Sequence, residues 1–277
     1  MRSYGAPLQS SFPFEGKSNN NYKRMKRKII AIANHKGGVA KTTTTANLGA
    51  ALNLAGYRVL VVDLDAQCNL TASLCNELID DEATIYGALK SVSALPVRQI
   101  KEGFDLCPAS LNLSAIDQEL AEDLERNYRL TDCINKTADD YDFILLDCPP
   151  SLGLLPINAL VAANEVYITL TAEGLPTMGL SKLSEMITKI QRRLNPALNL
   201  SGIVITRYNG RKLNKTVEDS LRAKFGDIVF GTKIRENISL AEAPLFQQDI
   251  FSYAPESNGA KDYKALAEEV VSRYVNI

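Results

Sequence analysis

The chain is poor in the groups that most often do chemistry. Among its 277 residues there is one histidine, His35. A Ser-His-Asp triad could draw on that residue alone, and a histidine-rich metal site is excluded. The five cysteines (Cys68, Cys75, Cys107, Cys133 and Cys148) are odd in number and contain no C-x-x-C pair. That argues against a disulfide framework and a zinc ribbon and favours a reducing, cytoplasmic setting; each cysteine reads as a small buried hydrophobe. No apolar run approaches the roughly 20 residues of a membrane helix. The polar, then basic, start has no apolar core of a secretory signal. An excess of either charge is lacking too, with 31 basic and 32 acidic side chains, so any polyanion must be bound by a local patch. Apolar residues are plentiful, at 45%, which excludes disorder of the whole chain and suffices for a large core.

Residues 1–27 differ from the rest: they have no hydrophobic period and carry Gly, Pro, Ser and Asn. Through Lys28 they hold Arg2, Lys17, Lys23, Arg24, Lys26, Arg27 and Lys28 against Glu15 alone. The stretch reads as a disordered basic leader. It is either an arm for an anionic partner or an upstream artefact, with Met25 as the true start. From residue 28 to 277 one domain is expected. Short apolar runs at 29–33, 58–63, 104–107, 143–147, 166–170 and 203–205 read as strands. They alternate with helical patterns at 43–55, 112–138, 178–194, 212–225 and 259–274. The alternation predicts an α/β fold, a doubly wound and mainly parallel sheet with helices on both faces.

After the first strand comes Asn34-His35-Lys36-Gly37-Gly38-Val39-Ala40-Lys41-Thr42-Thr43. A strand entering a glycine-containing loop at a helix start makes an anion cradle. Backbone N–H groups point at the ligand, the helix dipole favours negative charge, and glycine lets the backbone approach closely. Lys41 offers a point charge to phosphates, and the Thr42 hydroxyl is a hard ligand for Mg²⁺. The pattern G-x-x-x-x-G-K-[ST] does not fit, because His35 and Ala40 stand at its glycine positions. K-G-G-x-x-K-[ST] does, with Lys36 as an extra lysine five residues before Lys41. This resembles the deviant Walker A motif of the ParA/MinD family of P-loop ATPases. Val61-Val62-Asp63-Leu64-Asp65-Ala66-Gln67-Cys68-Asn69 is similar to the family's D-x-D-P-Q-x-N, with Ala66 for proline. Leu145-Leu146-Asp147-Cys148-Pro149-Pro150 resembles its Walker B strand end, and Ile203–Asn209 its adenine strand. Ala254–Tyr263 resembles the C-terminal element of partition ATPases.

The resemblance implies ATP and Mg²⁺ as ligands and weak ATPase activity stimulated by a ParB-like partner. It implies that the loop from Lys36 through Gly37, Gly38, Val39 and Ala40 to Lys41, Thr42 and Thr43 binds ATP. Lys36 reaches the nucleotide of a second copy, so that ATP joins a homodimer. Thr42 ligates Mg²⁺ and Thr43 meets the α-phosphate. Asp147 holds the metal through water, Asp63 belongs to the same network, and Asp65 positions the attacking water. Arg207, Asn209 and Pro255 border the adenine.

Residues 207–235 hold eight bases against three acids, whereas residues 117–142 hold nine acids against three bases. One positive face is therefore expected despite the near-neutral total, carried by Arg211, Arg222, Lys224, Lys233 and Arg235. It suits salt-dependent, non-specific DNA binding on the nucleoid. Where the family often has I-P-R-N-V-R-L-S-E-A-P, this chain has Glu236 and Ser239 for two arginines and Arg235 for proline. Three other readings compete with partition. A MinD-like membrane-positioning ATPase needs a basic amphipathic tail, whereas residues 265–277 are acidic in the middle and end apolar. An iron–sulfur relative needs paired cysteines. A ParA-like ATPase serving a mobile element or a polar complex is not separable by sequence.

Overall fold

A computed structural model describes residues 26–137, 140–151, 153–172 and 177–275. The leader, apart from Lys26 and Arg27, lies outside the described residues. Eight strands form one sheet: β1 (Lys28–Ala33), β2 (Val59–Asp63), β3 (Arg98–Lys101), β4 (Phe104–Cys107), β5 (Phe143–Asp147), β6 (Glu165–Thr171), β7 (Asn199–Tyr208) and β8 (Val229–Arg235). Their order is β3-β4-β2-β5-β1-β6-β7-β8. All neighbours are parallel except β3, which runs antiparallel to β4 at one edge. β1, β2 and β5 are continuous apolar runs because both their faces are covered. Ile30, Ile32, Val61 and Leu145 face one core, whereas Ala31, Leu60, Val62, Ile144 and Leu146 face the other.

Eleven α-helices are described: α1 (Lys41–Leu54), α2 (Asn69–Leu74), α3 (Ile85–Ser91), α4 (Ile116–Glu119), α5 (Arg129–Lys136), α6 (Leu154–Ala162), α7 (Thr177–Arg193), α8 (Lys212–Phe225), α9 (Ser239–Glu242), α10 (Ile250–Tyr253) and α11 (Asn258–Val275). α1 and α11 pack together on one face, with Tyr263, Leu266 and Val270 fully buried. Glycine is required where β7 passes β6 and β8. A Cβ on Gly202 would lie 2.5 Å from Tyr167 and 2.6 Å from Phe230.

The helix expected over 112–138 is a correction. The chain forms a 3₁₀ turn at Leu111–Ala115, the single turn α4, a run of turns, and then α5. Acidic side chains there bond elsewhere rather than line a helix face. Asp117 accepts from the Leu154 N–H at the start of α6. Asp123 accepts from the Glu125 N–H and binds Arg129 Nε at 2.5 Å. Arg129 in turn donates to the Leu89 and Lys90 carbonyls.

Candidate nucleotide site

β1 lies between β5 and β6 in the sheet. Strands β2–β5 lie on one side of it and β6–β8 on the other, so the loop after β1 opens at a switch point, at the carboxyl edge where α/β ligands bind. The loop turns on Gly38 (φ 72°) and Ala40 (φ 62°), both left-handed. Ala40 caps α1 with no side-chain hydrogen bond, and the first turn holds no acid. A 14-residue helix thus offers its positive end to an anion.

Lys41 begins that helix and is buried; its Nζ donates to the Lys36 carbonyl at 3.2 Å. Burial lowers its pKa, against the raising effects of Asp147, Cys148 and Asp65. Thr42 donates from Oγ1 to Asp147 Oδ2 at 2.7 Å. Thr45, not anticipated from sequence, lies 3.4 Å from Asp147 Oδ1 and 3.1 Å from the Lys41 carbonyl. Asp63 and Asp147 end adjacent strands in register. Burial chiefly raises both carboxyl pKa values. For Asp147 the neighbouring Asp63 adds to this, and the Thr42 bond and Lys41 oppose it.

Asp63 is fully buried and spoken for. It accepts from the Thr71 N–H and hydroxyl, each at 2.8 Å, and from the Asp65 N–H at 3.1 Å. It therefore fastens the loop that carries Asp65 to the start of α2. Asp65 is half-buried and accepts from the Gln67 N–H at 2.9 Å. Thr43 is half-buried on α1, whereas Lys36, Gly37 and Gly38 are exposed.

Among the described residues no cluster of three or more His, Cys, Asp or Glu could cage a metal. Thr42 and Asp147 nevertheless suit Mg²⁺. They are hard oxygen donors side by side, and the paired buried carboxylates are short of positive charge. Mg²⁺ is commonly held by one or two protein oxygens together with water and phosphate.

Arg207, the penultimate residue of β7, lies in the left-handed region, φ 51°, with Glu236 3.7 Å away. Asn209 accepts from the Arg211 N–H at 3.3 Å and sits exposed at the entry to α8. Pro255 is exposed between α10 and α11.

The expected basic face divides. Arg222 and Lys233 both bind Glu218, at 3.1 and 3.0 Å, and Arg222 also donates to the Val229 and Phe230 carbonyls. Arg235 grips Asp262 through Nε and Nη2, at 3.0 and 2.6 Å. Arg211, Lys212, Lys215 and Lys224 stay exposed on or beside α8.

The AAA domain profile matches residues 27–200, more than half of the chain. The chain is 40% identical over 249 residues to the sporulation initiation inhibitor protein Soj of Bacillus subtilis, covering 88% of this chain and 98% of that protein. It is 38% identical over 252 residues to the chromosome partitioning protein ParA of Caulobacter vibrioides, covering 89% and 94%. The chain belongs to the ParA/Soj family of ATPases. Among solved structures, the Mycobacterium smegmatis protein named cobyrinic acid a,c-diamide synthase, bound to an ATP analogue and magnesium, superposes with a TM-score of 0.79. That pair is 32% identical, covering 90% of this chain and 96% of the other. This ParA/Soj-family chain is an ATPase that uses ATP and Mg²⁺.

Proposed function

We propose that the chain is an ATP-driven dimerisation switch for DNA partition, acting in the cytoplasm on the nucleoid. The observation that carries this reading is the pair of lysines on one loop. Lys41 is buried at the helix start, whereas Lys36 is exposed. Lys41, with the amides of Gly37, Gly38, Val39 and Ala40, neutralises the phosphates in its own subunit, and Thr43 meets the α-phosphate. Lys36 has charge to spare for the nucleotide of a second copy, so ATP favours a homodimer by mass action.

Thr42 and Asp147 would hold Mg²⁺, which when bound would supply charge neutralisation at the phosphates. Asp63 takes part through Asp147 beside it and by holding the Asp65 loop. Asp65 orients the attacking water; fixed charges and positioning carry most of phosphoryl transfer. Arg207, Asn209 and Pro255 border the adenine.

Non-specific DNA meets the α8 side, where Arg211, Lys212, Lys215 and Lys224 remain exposed and Arg222, Lys233 and Arg235 contribute from within their ion pairs. Two such faces in a dimer add their effective affinities. A ParB-like partner stimulates hydrolysis and releases the protein. The ParA and Soj relatives support this reading over membrane positioning. So does α11, whose apolar residues are buried against α1 and β8 rather than free for a bilayer. No described helix is long and apolar enough to cross a membrane. DNA binding without nucleotide, with ADP, with ATP, and with ATP plus Arg211→Glu/Lys215→Glu is the test. Binding is expected with ATP alone and weakened in the double variant; equal binding in all four samples overturns the switch.

A further inference from the structure

The phosphate loop has two limbs, each tied by one side chain to another strand of the sheet, the first to β6 and the second to β7. On the first limb, Asn34 Nδ2 donates to the Thr169 carbonyl of β6 at 2.7 Å, and Asn34 Oδ1 accepts from the Lys36 N–H at 3.0 Å. On the second, the Thr206 hydroxyl of β7 bridges the Leu170 carbonyl at 3.1 Å and the Val39 carbonyl at 3.3 Å. Between the limbs, a Cβ built on Gly37 or Gly38 meets nothing within 4 Å, so packing does not hold the tip. The backbone of Lys36 is therefore held by two hydrogen bonds, one from its N–H to Asn34 and one to its carbonyl from Lys41. The second involves the amine that any phosphate competes for. Only the first is independent of ligand.

We propose that Asn34 is a positioning residue for the ATPase reaction: it ties the Lys36 backbone N–H to β6, so that the exposed Lys36 side chain starts from a fixed point when it reaches toward the second copy. The chemistry requires an amide. One end must donate to a carbonyl and the other must accept from an N–H; aspartate supplies only the acceptor, and alanine neither. This inference rests on the role given above to Lys36. A hydrogen bond made in the free subunit spares the loop that ordering when two copies meet, and small misplacements of a positioned charge are costly in rate.

The experiment uses the full chain in four forms: native, Asn34→Ala, Lys36→Ala and the double variant. ADP affinity is measured by titration. Dimerisation is measured by sedimentation with a slowly hydrolysed ATP analogue and Mg²⁺, and hydrolysis is resolved into kcat and KM. Asn34→Ala should leave ADP affinity within about threefold and weaken dimerisation by roughly ten- to a hundredfold, lowering kcat more than it raises KM. The double variant should be no worse than Lys36→Ala, because Asn34 acts through Lys36. Asn34→Asp, nearly isosteric, should be impaired like Asn34→Ala, and it serves as the readout if the alanine variant fails to fold.

Normal dimerisation by Asn34→Ala alongside failure of Lys36→Ala overturns the inference and leaves the dimer reading intact. Losses that add in the double variant overturn it as well, as does a large loss of ADP affinity in Asn34→Ala. Normal dimerisation by Lys36→Ala overturns the reading of Lys36 itself, and the inference with it.

Discussion

Replacing Ala40 with glycine should stabilise the nucleotide-free protein. Ala40 sits at φ 62°, ψ 34° as the N-cap of α1 and makes no side-chain capping bond. A Cβ in that left-handed region costs roughly 1–2 kcal/mol. The greater freedom of glycine in the unfolded chain returns roughly 0.5–1 kcal/mol of that. Glycine is also the better residue at an N-cap, where alanine ranks low. The net gain is about 0.5–1 kcal/mol, a rise in melting temperature of roughly 1–4 °C for a chain of this size. The assay is urea and thermal unfolding of the apo protein, with an unchanged dependence on denaturant. Gly38→Ala is the mirror control. Its φ is 72° and the added Cβ meets nothing within 4 Å, so only backbone strain acts, and a loss of about 1 kcal/mol is expected. Unchanged or reduced stability in Ala40→Gly, or no loss in Gly38→Ala, refutes the reasoning.

Three further outcomes follow from the geometry. Asp65→Ala should retain ATP binding, seen by titration, and lose at least about a hundredfold in kcat; normal turnover removes Asp65 from its role. Asp262→Asn keeps the side-chain size but discharges the partner of Arg235, and should strengthen DNA binding severalfold at low salt, with a steeper salt dependence in a filter or polarisation assay. Glu269→Gln should flatten the acid limb of stability. Burial alone would raise the Glu269 pKa, but the Gly231 and Thr232 N–H groups and Arg273 hold it below the usual value. Its stabilisation is therefore complete above the roughly pH 4.3 of an unfolded glutamate and is lost as pH falls through the lower folded value. Denaturation midpoints between about pH 3 and 5 measure the change.

The legible parts of the sequence were those where one local pattern decides the outcome. β5 runs from Phe143 to Asp147 as its apolar run indicates, because burial on both faces leaves no polar position before the final aspartate, and β4 runs from Phe104 to Cys107 with only Asp105 breaking its apolar run. α8 likewise spans residues 212–225 as its period predicts. β3 was missed because an edge strand reading Arg98-Gln99-Ile100-Lys101 is polar by need: charge protects an exposed edge. β8 was missed because Gly231 and Lys233 interrupt its pattern, and α6 because Leu154–Ala162 is apolar nearly all round. At the site, the loop residues were visible from spacing, but their supports were not. Asn34 and its partner Thr169 are 135 residues apart, and Arg235 and Asp262 are 27 apart. The ion pairs of Glu218 and Asp262 changed the basic face in a way that counting charges along the chain does not reveal.

Sedimentation of the full chain with a slowly hydrolysed ATP analogue and Mg²⁺, compared with ADP, tests the central claim most directly. The account predicts a two-chain species with the analogue, a single chain with ADP, and a single chain for Lys36→Ala in both. A single chain under saturating analogue contradicts it.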